Sequence, residues 1–122
     1  MDNEKVYQMK FAAVYPLLVQ KAQRKGRTRE EVDQVTCWLT GYSPDDLEEL
    51  SQGDLSYGEF FRQAPKLNPA RKQIKGIICG FRVEEIKEPL MQEIRYLDKL
   101  VDELARGKAM EKILRKPEGA KK

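Results

Sequence analysis

Closely spaced signals for the beginnings and ends of helices constrain this chain more than any other feature of its sequence. Thr28 is followed three residues later by Glu31, and Ser56 in the same way by Glu59. This spacing is typical of a capping box, in which side chain and backbone bond reciprocally in the first turn of a helix. No alternating run of β-branched or aromatic residues is long enough for a sheet. The sequence therefore predicts an all-α fold in which no β-sheet forms.

Apolar residues spaced three to four apart between these signals predict a compact bundle of about five to seven mostly short helices. Pro16 is expected to delay the regular start of the first helix to near Ala13, or to bend the helix. Helix ends are expected near Gly26, Gly41, Gly53, Pro65 and Gly80. The predicted helices cover residues 11–25, 28–41, 43–51, 57–63 and 68–80, a single turn at 83–87, and one long C-terminal helix from Pro89 to about Leu114 with Gly107 as a candidate break.

The length of 122 residues fits one ordinary domain. We expect a single helical domain over residues 1–115, followed by a disordered basic tail over residues 116–122. No stretch reaches the roughly 20 apolar residues of a membrane span, and the N-terminal residues lack the apolar core of a signal peptide. These features predict a cytoplasmic protein that does not act on a membrane.

The sequence contains no histidine, which narrows the chemistry expected of it. Ser-His-Asp catalysis, Cys-His catalysis and Cys₂His₂ zinc sites all need that side chain. The acidic clusters lie at predicted helix starts, where caps and the helix dipole already account for them. There is also no P-loop, dinucleotide fingerprint or EF-hand spacing. We therefore predict no catalytic residue, cofactor or metal site, although an enzyme that uses Lys, Asp, Glu, Tyr or Cys stays open.

Two apolar clusters are expected to lie in the core near one another. A thiol with apolar neighbours usually behaves as a small buried hydrophobe, so both cysteines are expected to be buried as well. The clusters are Cys37-Trp38-Leu39 and Ile77-Ile78-Cys79.

The two clusters belong to segments that resemble each other. A shift of 39 residues aligns residues 35–47 with residues 74–86. Each copy is interpreted as a helix, a glycine stop, an aromatic residue and an acidic turn of helix, which together make a helix-turn-helix-like corner. Two copies leave duplication and chance both open. The acidic second helix would be repelled by phosphates, so a packing corner is favoured over DNA recognition.

Charge is distributed in blocks of opposite sign. Residues 30–65 carry one basic and nine acidic side chains, whereas residues 66–82 carry five basic and none acidic. The basic segments 21–29 and 66–82 could grip a nucleic-acid backbone if the fold brings them together, although a solvated face that pairs with the acidic segment is favoured. The candidate contacts for this alternative are Lys21, Arg24, Lys25, Arg27, Arg29, Arg71, Lys72 and Lys75.

The long C-terminal helix carries an apolar stripe whose spacing of four, three, four and three residues is that of a coiled-coil seam. We expect this stripe to need a partner, and a homodimer is slightly favoured because short helices would leave it uncovered. The first helix of the same chain is the alternative partner. The stripe consists of Leu90, Ile94, Leu97, Val101 and Leu104.

Several longer strings carry a family resemblance: KFAAVYPLLVQKAQRKGRT, WLTGY, YGEFF, APKLNP, IKGIICG and PLMQEIRYLDKLVDELARGKAMEKIL. From Lys5 to Arg115 the chain resembles domain-of-unknown-function family 2200, a family of small bacterial proteins. The resemblance implies a cytoplasmic, all-helical protein and no particular activity. Motif residues of surface-prone type in predicted loops are the candidate interaction residues, because loops carry function more often than cores do. They are Tyr42, Lys66, Asn68 and Arg82.

These observations favour a non-enzymatic protein-interaction module that binds another protein or itself. The alternative is a nucleic-acid-associated protein that binds backbone through its basic segments. A gel-shift assay with DNA and RNA at low and at physiological salt would distinguish the two. Retained binding with a steep dependence on salt concentration would favour the nucleic-acid alternative.

Overall fold

A computed structural model of the chain describes residues 3–116, which fold into short helices around one long helix. The predicted tail, residues 116–122, lies outside the described residues apart from Lys116. The α-helices are α1 (Asn3–Gln8), α2 (Phe11–Gln23), α3 (Arg29–Thr40), α4 (Pro44–Leu50), α5 (Tyr57–Arg62), α6 (Pro89–Ala105) and α7 (Met110–Ile113). Two 3₁₀ helices (Pro69–Gln73 and Val83–Glu85) flank two short strands, β1 (Ile77–Ile78) and β2 (Phe81–Arg82).

The predicted helix starts at Thr28 and Ser56 are confirmed. At the start of α3 the Thr28 hydroxyl accepts from the Glu31 N–H, and the Glu31 carboxylate accepts from the Thr28 N–H. At the start of α5 the Ser56 hydroxyl accepts from the Glu59 N–H, but the Glu59 carboxylate accepts from Arg62 and Gln63, so only half of the predicted capping box forms. Gly41 ends α3 in the left-handed conformation, with φ of 85°. Local chemistry therefore sets these boundaries, as the sequence predicted.

Helix α2 departs from the prediction at its first turn, because it begins at Phe11 and not near Ala13. The carbonyl of Lys10 accepts from the Ala13 and Val14 N–H groups, which closes the first turn ahead of Pro16. The proline lies inside the helix, where its missing N–H leaves one carbonyl of the preceding turn without its usual donor.

The predicted fifth helix and the predicted absence of a sheet are both wrong between residues 68 and 82. Asn68 caps only a 3₁₀ helix, and the chain then becomes extended. Strands β1 and β2 pair antiparallel, with Ile77 opposite Arg82 and Ile78 opposite Phe81. Cys79 and Gly80 form the two-residue turn with φ of 53° and 83°, and positive φ at both positions matches the twist of a hairpin.

The two segments that are similar in sequence fold differently. Residues 35–40 are helical, whereas in residues 74–79 Ile74 is extended, Ile77 and Ile78 form β1, and Cys79 begins the hairpin turn. The similarity at a shift of 39 residues therefore does not correspond to a repeated structural unit. Apart from this hairpin and one isolated bridge between Lys10 and Ser56, the described residues form a mostly helical fold of the predicted class.

Helix α6 is the centre of the core, packed against α2, α3, α5 and α7. Beside it, aromatic rings of α2 and α5 stack closely, with 4.2 Å between the ring centroids of Phe11 and Phe60. Gly107 has a positive φ and turns the chain after the end of α6. Helix α7 follows, and its residue Ile113 is buried in the core. None of the helices in residues 3–116 is long and apolar enough to cross a membrane.

The two predicted core clusters are only partly buried. Leu39 and Ile78 lie in the core, whereas Trp38 and Cys37 are half-buried at its edge. Ile77 and Cys79 are exposed, because strand alternation turns one side of the hairpin away from the core and its turn projects into solvent. The prediction that Trp38 and Ile77 are core residues, and that both thiols are buried, is therefore wrong.

Candidate interaction surfaces

The hairpin exposes two large apolar side chains, Ile77 and Phe81, which are 55% and 67% exposed. We call Ile77, Cys79, Gly80 and Phe81 the hairpin surface. The register sets Phe81 opposite Ile78 and Ile77 opposite Arg82, so Ile77 and Phe81 lie on opposite faces of the hairpin. Ile78 anchors the hairpin against the core, whereas Ile77 and Phe81 stay exposed, although apolar side chains of this size are often buried.

Side chains of α6 and of the second 3₁₀ helix hold the hairpin in place. Lys99 donates from Nζ to the Ile77 carbonyl at 3.3 Å, and Arg95 approaches the Cys79 sulfur at 3.5 Å. The Glu84 carboxylate accepts from the Gly76 N–H at 2.9 Å, and this bond is the main reason that its pKa lies below the ordinary value. The exposed apolar residues are therefore presented in a defined geometry.

A groove of about 370 Å³ lies beside Phe81. Ile86 and Met91 supply apolar walls, and Lys87 and Arg95 add positive charge. Arg95 also pairs with the Asp98 carboxylate at 2.7 Å. Burial raises the pKa of this Asp98 group. The lining consists of Asn3, Phe81, Glu85, Ile86, Lys87, Met91 and Arg95.

A second concave site, the loop pocket, lies where the chain after α5 crosses the C-terminal end of α3. Its volume is about 380 Å³. The Lys66 N–H donates to the Thr40 carbonyl and the Asn68 N–H to the Leu39 carbonyl, both at 3.0 Å. These bonds satisfy carbonyl groups that the end of a helix leaves without a partner. The lining residues are Trp38, Gly41, Lys66, Asn68 and Pro69.

Glycine is needed at position 41 for two reasons. Its φ of 85° is unfavourable for other residues, and a Cβ there would lie only 2.7 Å from the Lys66 backbone nitrogen. Asn68 is fixed as well, because its side chain donates to the Trp38 carbonyl and accepts from the Ala70 N–H. The floor of the loop pocket is thus a rigid crossing of two backbones.

The four loop residues predicted to interact do not form one layer. Lys66 and Asn68 line the loop pocket, in agreement with their predicted loop positions. Tyr42 instead packs on Phe60 and donates its hydroxyl to the Phe60 carbonyl at 2.8 Å, and burial raises its pKa to about 12. Arg82 lies in strand β2, where it pairs with Glu84 at 3.3 Å. Tyr42 is therefore a packing residue.

The basic segments 21–29 and 66–82 meet α3 at opposite ends. The first leads into the start of α3, and the second begins by crossing its end. Twelve helical residues separate the two points by about 18 Å. Nucleic-acid binding through both segments stays a prediction.

Half of the eight predicted nucleic-acid contacts are engaged in ion pairs within the chain. Lys21 pairs with Asp102 at 3.4 Å, and Arg71 pairs with Glu93 at 2.8 Å. Arg27 bonds to the Glu31 carboxylate and to two backbone carbonyl groups near the end of α6. Arg29 pairs with Asp33 and Glu48. Among the described residues Arg24, Lys25, Lys72 and Lys75 form no ion pair.

The stripe predicted for self-association lies inside the molecule. Ile94, Leu97, Val101 and Leu104 are 0–1% exposed, and Leu90 is half-buried. Helices α2 and α3 cover them, so the intramolecular alternative is the one observed. The expectation of a homodimer through this stripe is wrong, because several short helices together provide a wide enough cover.

Sequence reasoning missed Phe81, Ile77 and Trp38 as surface residues. A short run of isoleucines between Gly76 and Gly80 is a hairpin signal, but the same run is compatible with the end of a helix. Across residues 3–116 there is no group of three or more Cys, Asp or Glu side chains placed to hold a metal ion.

Comparison with known proteins identifies relatives but no activity. A family model described as an uncharacterized protein conserved in bacteria matches residues 5–115. The crystal structure of the uncharacterized protein SP1917 is 55% identical in sequence and has a TM-score of 0.91, with 99% of this chain and 98% of that chain covered. No curated protein matches the sequence significantly.

Proposed function

The chain belongs to domain-of-unknown-function family 2200, whose members are uncharacterized proteins conserved in bacteria, and from the chemistry of its hairpin surface we propose that it is a non-enzymatic protein-interaction module. The hairpin surface is the binding site. The partner is another protein that inserts an apolar side chain beside Phe81 and places acidic residues around it.

The exposure of Phe81 beside the apolar groove carries this proposal. Phe81 is one of the four large hydrophobic side chains that are exposed in the described part of the chain, and it lines the groove together with Ile86 and Met91. Clustered exposed apolar groups with a polar rim mark binding sites on soluble proteins, whereas single exposed hydrophobic residues are ordinary. Aromatic side chains such as Phe81 are the usual anchors of protein interfaces.

Charge around the hairpin favours an acidic partner. Lys75 precedes β1 and Lys87 lines the groove, and neither forms an ion pair with a described residue. Glu85 also lines the groove and offsets one of these two charges. Glu84 is engaged by Gly76 and Arg82, so its charge is largely compensated. Electrostatic complementarity at a rim speeds association and excludes wrong partners, even where it adds little affinity.

Two groups with shifted pKa values, Tyr15 and Glu31, have structural partners, which supports a role in the fold for both. The Tyr15 hydroxyl donates to Asp33 at 2.6 Å, and burial raises its pKa strongly. Glu31 caps α3, and its bond to Arg27 lowers its pKa. Neither group lies in the hairpin groove or the loop pocket.

The test is site-specific photo-crosslinking in the source bacterium, followed by binding measurements with the purified partner. A photoreactive residue at position 81 should give discrete crosslinked products, whereas one at position 17 serves as the control because Leu17 is similarly exposed, at 58%. With the identified partner, Phe81→Ser should weaken binding by roughly tenfold or more and Leu17→Ser should not. Identical products at both positions, equal affinities for both variants, or a crosslink only to a second copy of the chain would refute the proposal.

A further inference from the structure

Trp38 presents an unused ring and an unused donor to the loop pocket. It is the only tryptophan in the sequence and lies half-buried at the edge of the core. Among the described residues its indole N–H donates to no acceptor, and this atom is not buried. A tryptophan at such a site offers a flat apolar face and a polar edge to a ligand.

One lysine lines the loop pocket and a second lies one turn beyond it, both without an ion pair to a described residue. Lys66 lines the loop pocket beside Pro69, and none of the five described lining residues is acidic. Pro69 begins a 3₁₀ helix, in which side chains three apart lie on the same face, so Lys72 is placed on the pocket side one turn further on. Neither lysine forms an ion pair with a described residue. Lys66 is therefore the charged residue of the described pocket lining, and it is positive.

These features point to a ligand that is both planar and anionic. The volume of about 380 Å³ lies within the usual range for a small-molecule site, roughly 300–1,000 Å³. A purely acidic peptide would satisfy the lysines but would give Trp38 nothing to stack on. A nucleotide satisfies both, because every base has a π-face and its phosphates suit lysine.

We propose that the loop pocket binds a nucleotide, with the base stacked on Trp38 and the flanking phosphates on Lys66 and Lys72. The nucleotide is either free or one unit of a single strand, and the two sources share this chemistry. The site lies outside the hairpin surface and does not depend on the interaction function proposed above. It uses only the start of the basic segment 66–82 and none of residues 21–29.

Trp38 itself reports on binding, since no other tryptophan contributes to the fluorescence. Adenosine monophosphate and a short oligothymidylate should each quench the emission saturably, whereas adenosine or inorganic phosphate alone should bind much more weakly. A free nucleotide as the ligand predicts equal affinity for the monophosphate and the oligonucleotide. A strand as the ligand predicts tighter binding of the oligonucleotide, with a log–log salt slope of about −1.4 for two phosphates.

Variants separate the proposed contacts from general charge effects. Lys72→Ala should reduce the salt slope for the oligonucleotide to about −0.7, because one phosphate contact is lost. Lys25→Ala removes an equally unpaired lysine at the far end of α3 and should leave binding unchanged. Trp38→Leu should weaken binding of a labelled oligonucleotide by roughly 5- to 150-fold through lost stacking.

Three results would overturn the proposal. One is the absence of quenching by every nucleotide probe at low salt. Another is equal loss of affinity in Lys25→Ala and Lys72→Ala, which would indicate a diffuse basic surface. The third is binding of poly-glutamate as tight as that of the oligonucleotide, which would identify an acidic protein segment as the ligand. If Trp38→Leu does not fold, the exposed lysine variants still decide.

Discussion

Replacing Gly41 by alanine tests whether the crossing of two backbones under the loop pocket holds the end of α3. Gly26 is a matched control, because both glycines have φ of 85°. An alanine in this left-handed conformation costs about 1–2 kcal/mol at either position. A Cβ at Gly26 meets nothing within 4 Å, so Gly26→Ala should lose this amount and no more.

At Gly41 the added Cβ would lie 2.7 Å from the Lys66 nitrogen and 2.9 Å from the Lys66 oxygen. These are backbone atoms, which cannot rotate away as a side chain can. The loop must move, which lengthens the two hydrogen bonds that Lys66 and Asn68 donate to the end of α3. At about 0.5–1.5 kcal/mol for each bond, the total loss for Gly41→Ala becomes about 2–5 kcal/mol.

Equilibrium urea unfolding followed by circular dichroism gives both free energies by linear extrapolation. Gly41→Ala should be less stable than Gly26→Ala by at least about 1 kcal/mol. Losses that agree within about 0.5 kcal/mol would refute the reasoning, since they would show that the contact with Lys66 adds nothing to the shared backbone strain.

Phe60→Ala should lower the free energy of unfolding by about 3–5 kcal/mol, because the ring is fully buried and stacked. Trp38→Ala should lower it clearly less, because Trp38 is only half-buried. Urea unfolding of both variants measures the two losses, and equal losses would show that Trp38 is a core residue. The bonds of Glu31 with Arg27 and Thr28 lower its pKa, so the folded state holds this proton less tightly than the unfolded state. The free energy of unfolding should therefore fall as the pH falls below about 4.3, and Glu31→Gln should flatten this dependence on pH. The same pH dependence in wild type and Glu31→Gln would show that protonation of Glu31 does not affect stability.

Helix boundaries are predictable from the sequence because the groups that set them are close along the chain. The hydroxyl of Thr28 and the carboxylate of Glu31 lie within one turn, so no distant residue needs to be known. The hairpin is not predictable by the same means. Asn68 and Pro69 begin a 3₁₀ helix with the same signal that begins an α-helix, and the burial of Ile78 and Val83 against the core determines the extended conformation of the next residues.

The candidate sites show a similar division. Lys66 and Asn68 are expected in a loop, and the structure places them there. Trp38 is expected in the core because it adjoins Leu39 in sequence. On a helix, however, adjacent residues point about 100° apart, and Trp38 falls at the edge of the face that Leu39 buries. For the stripe of α6 the sequence reveals only the spacing, which is the same whether the cover comes from this chain or from another.

The central position of α6 also has a consequence for synthesis. Helices α2, α3 and α5 all pack on α6, which comes after them in the chain. While the ribosome is still making residues 89–105, the earlier helices can pack only on one another, and the apolar faces that α6 covers stay exposed. The core closes only when Ile113 is packed and Arg115 has paired with the buried carboxylate of Glu103. The domain is therefore expected to fold after translation of nearly its whole length, and the nascent chain depends on other means of staying soluble until then.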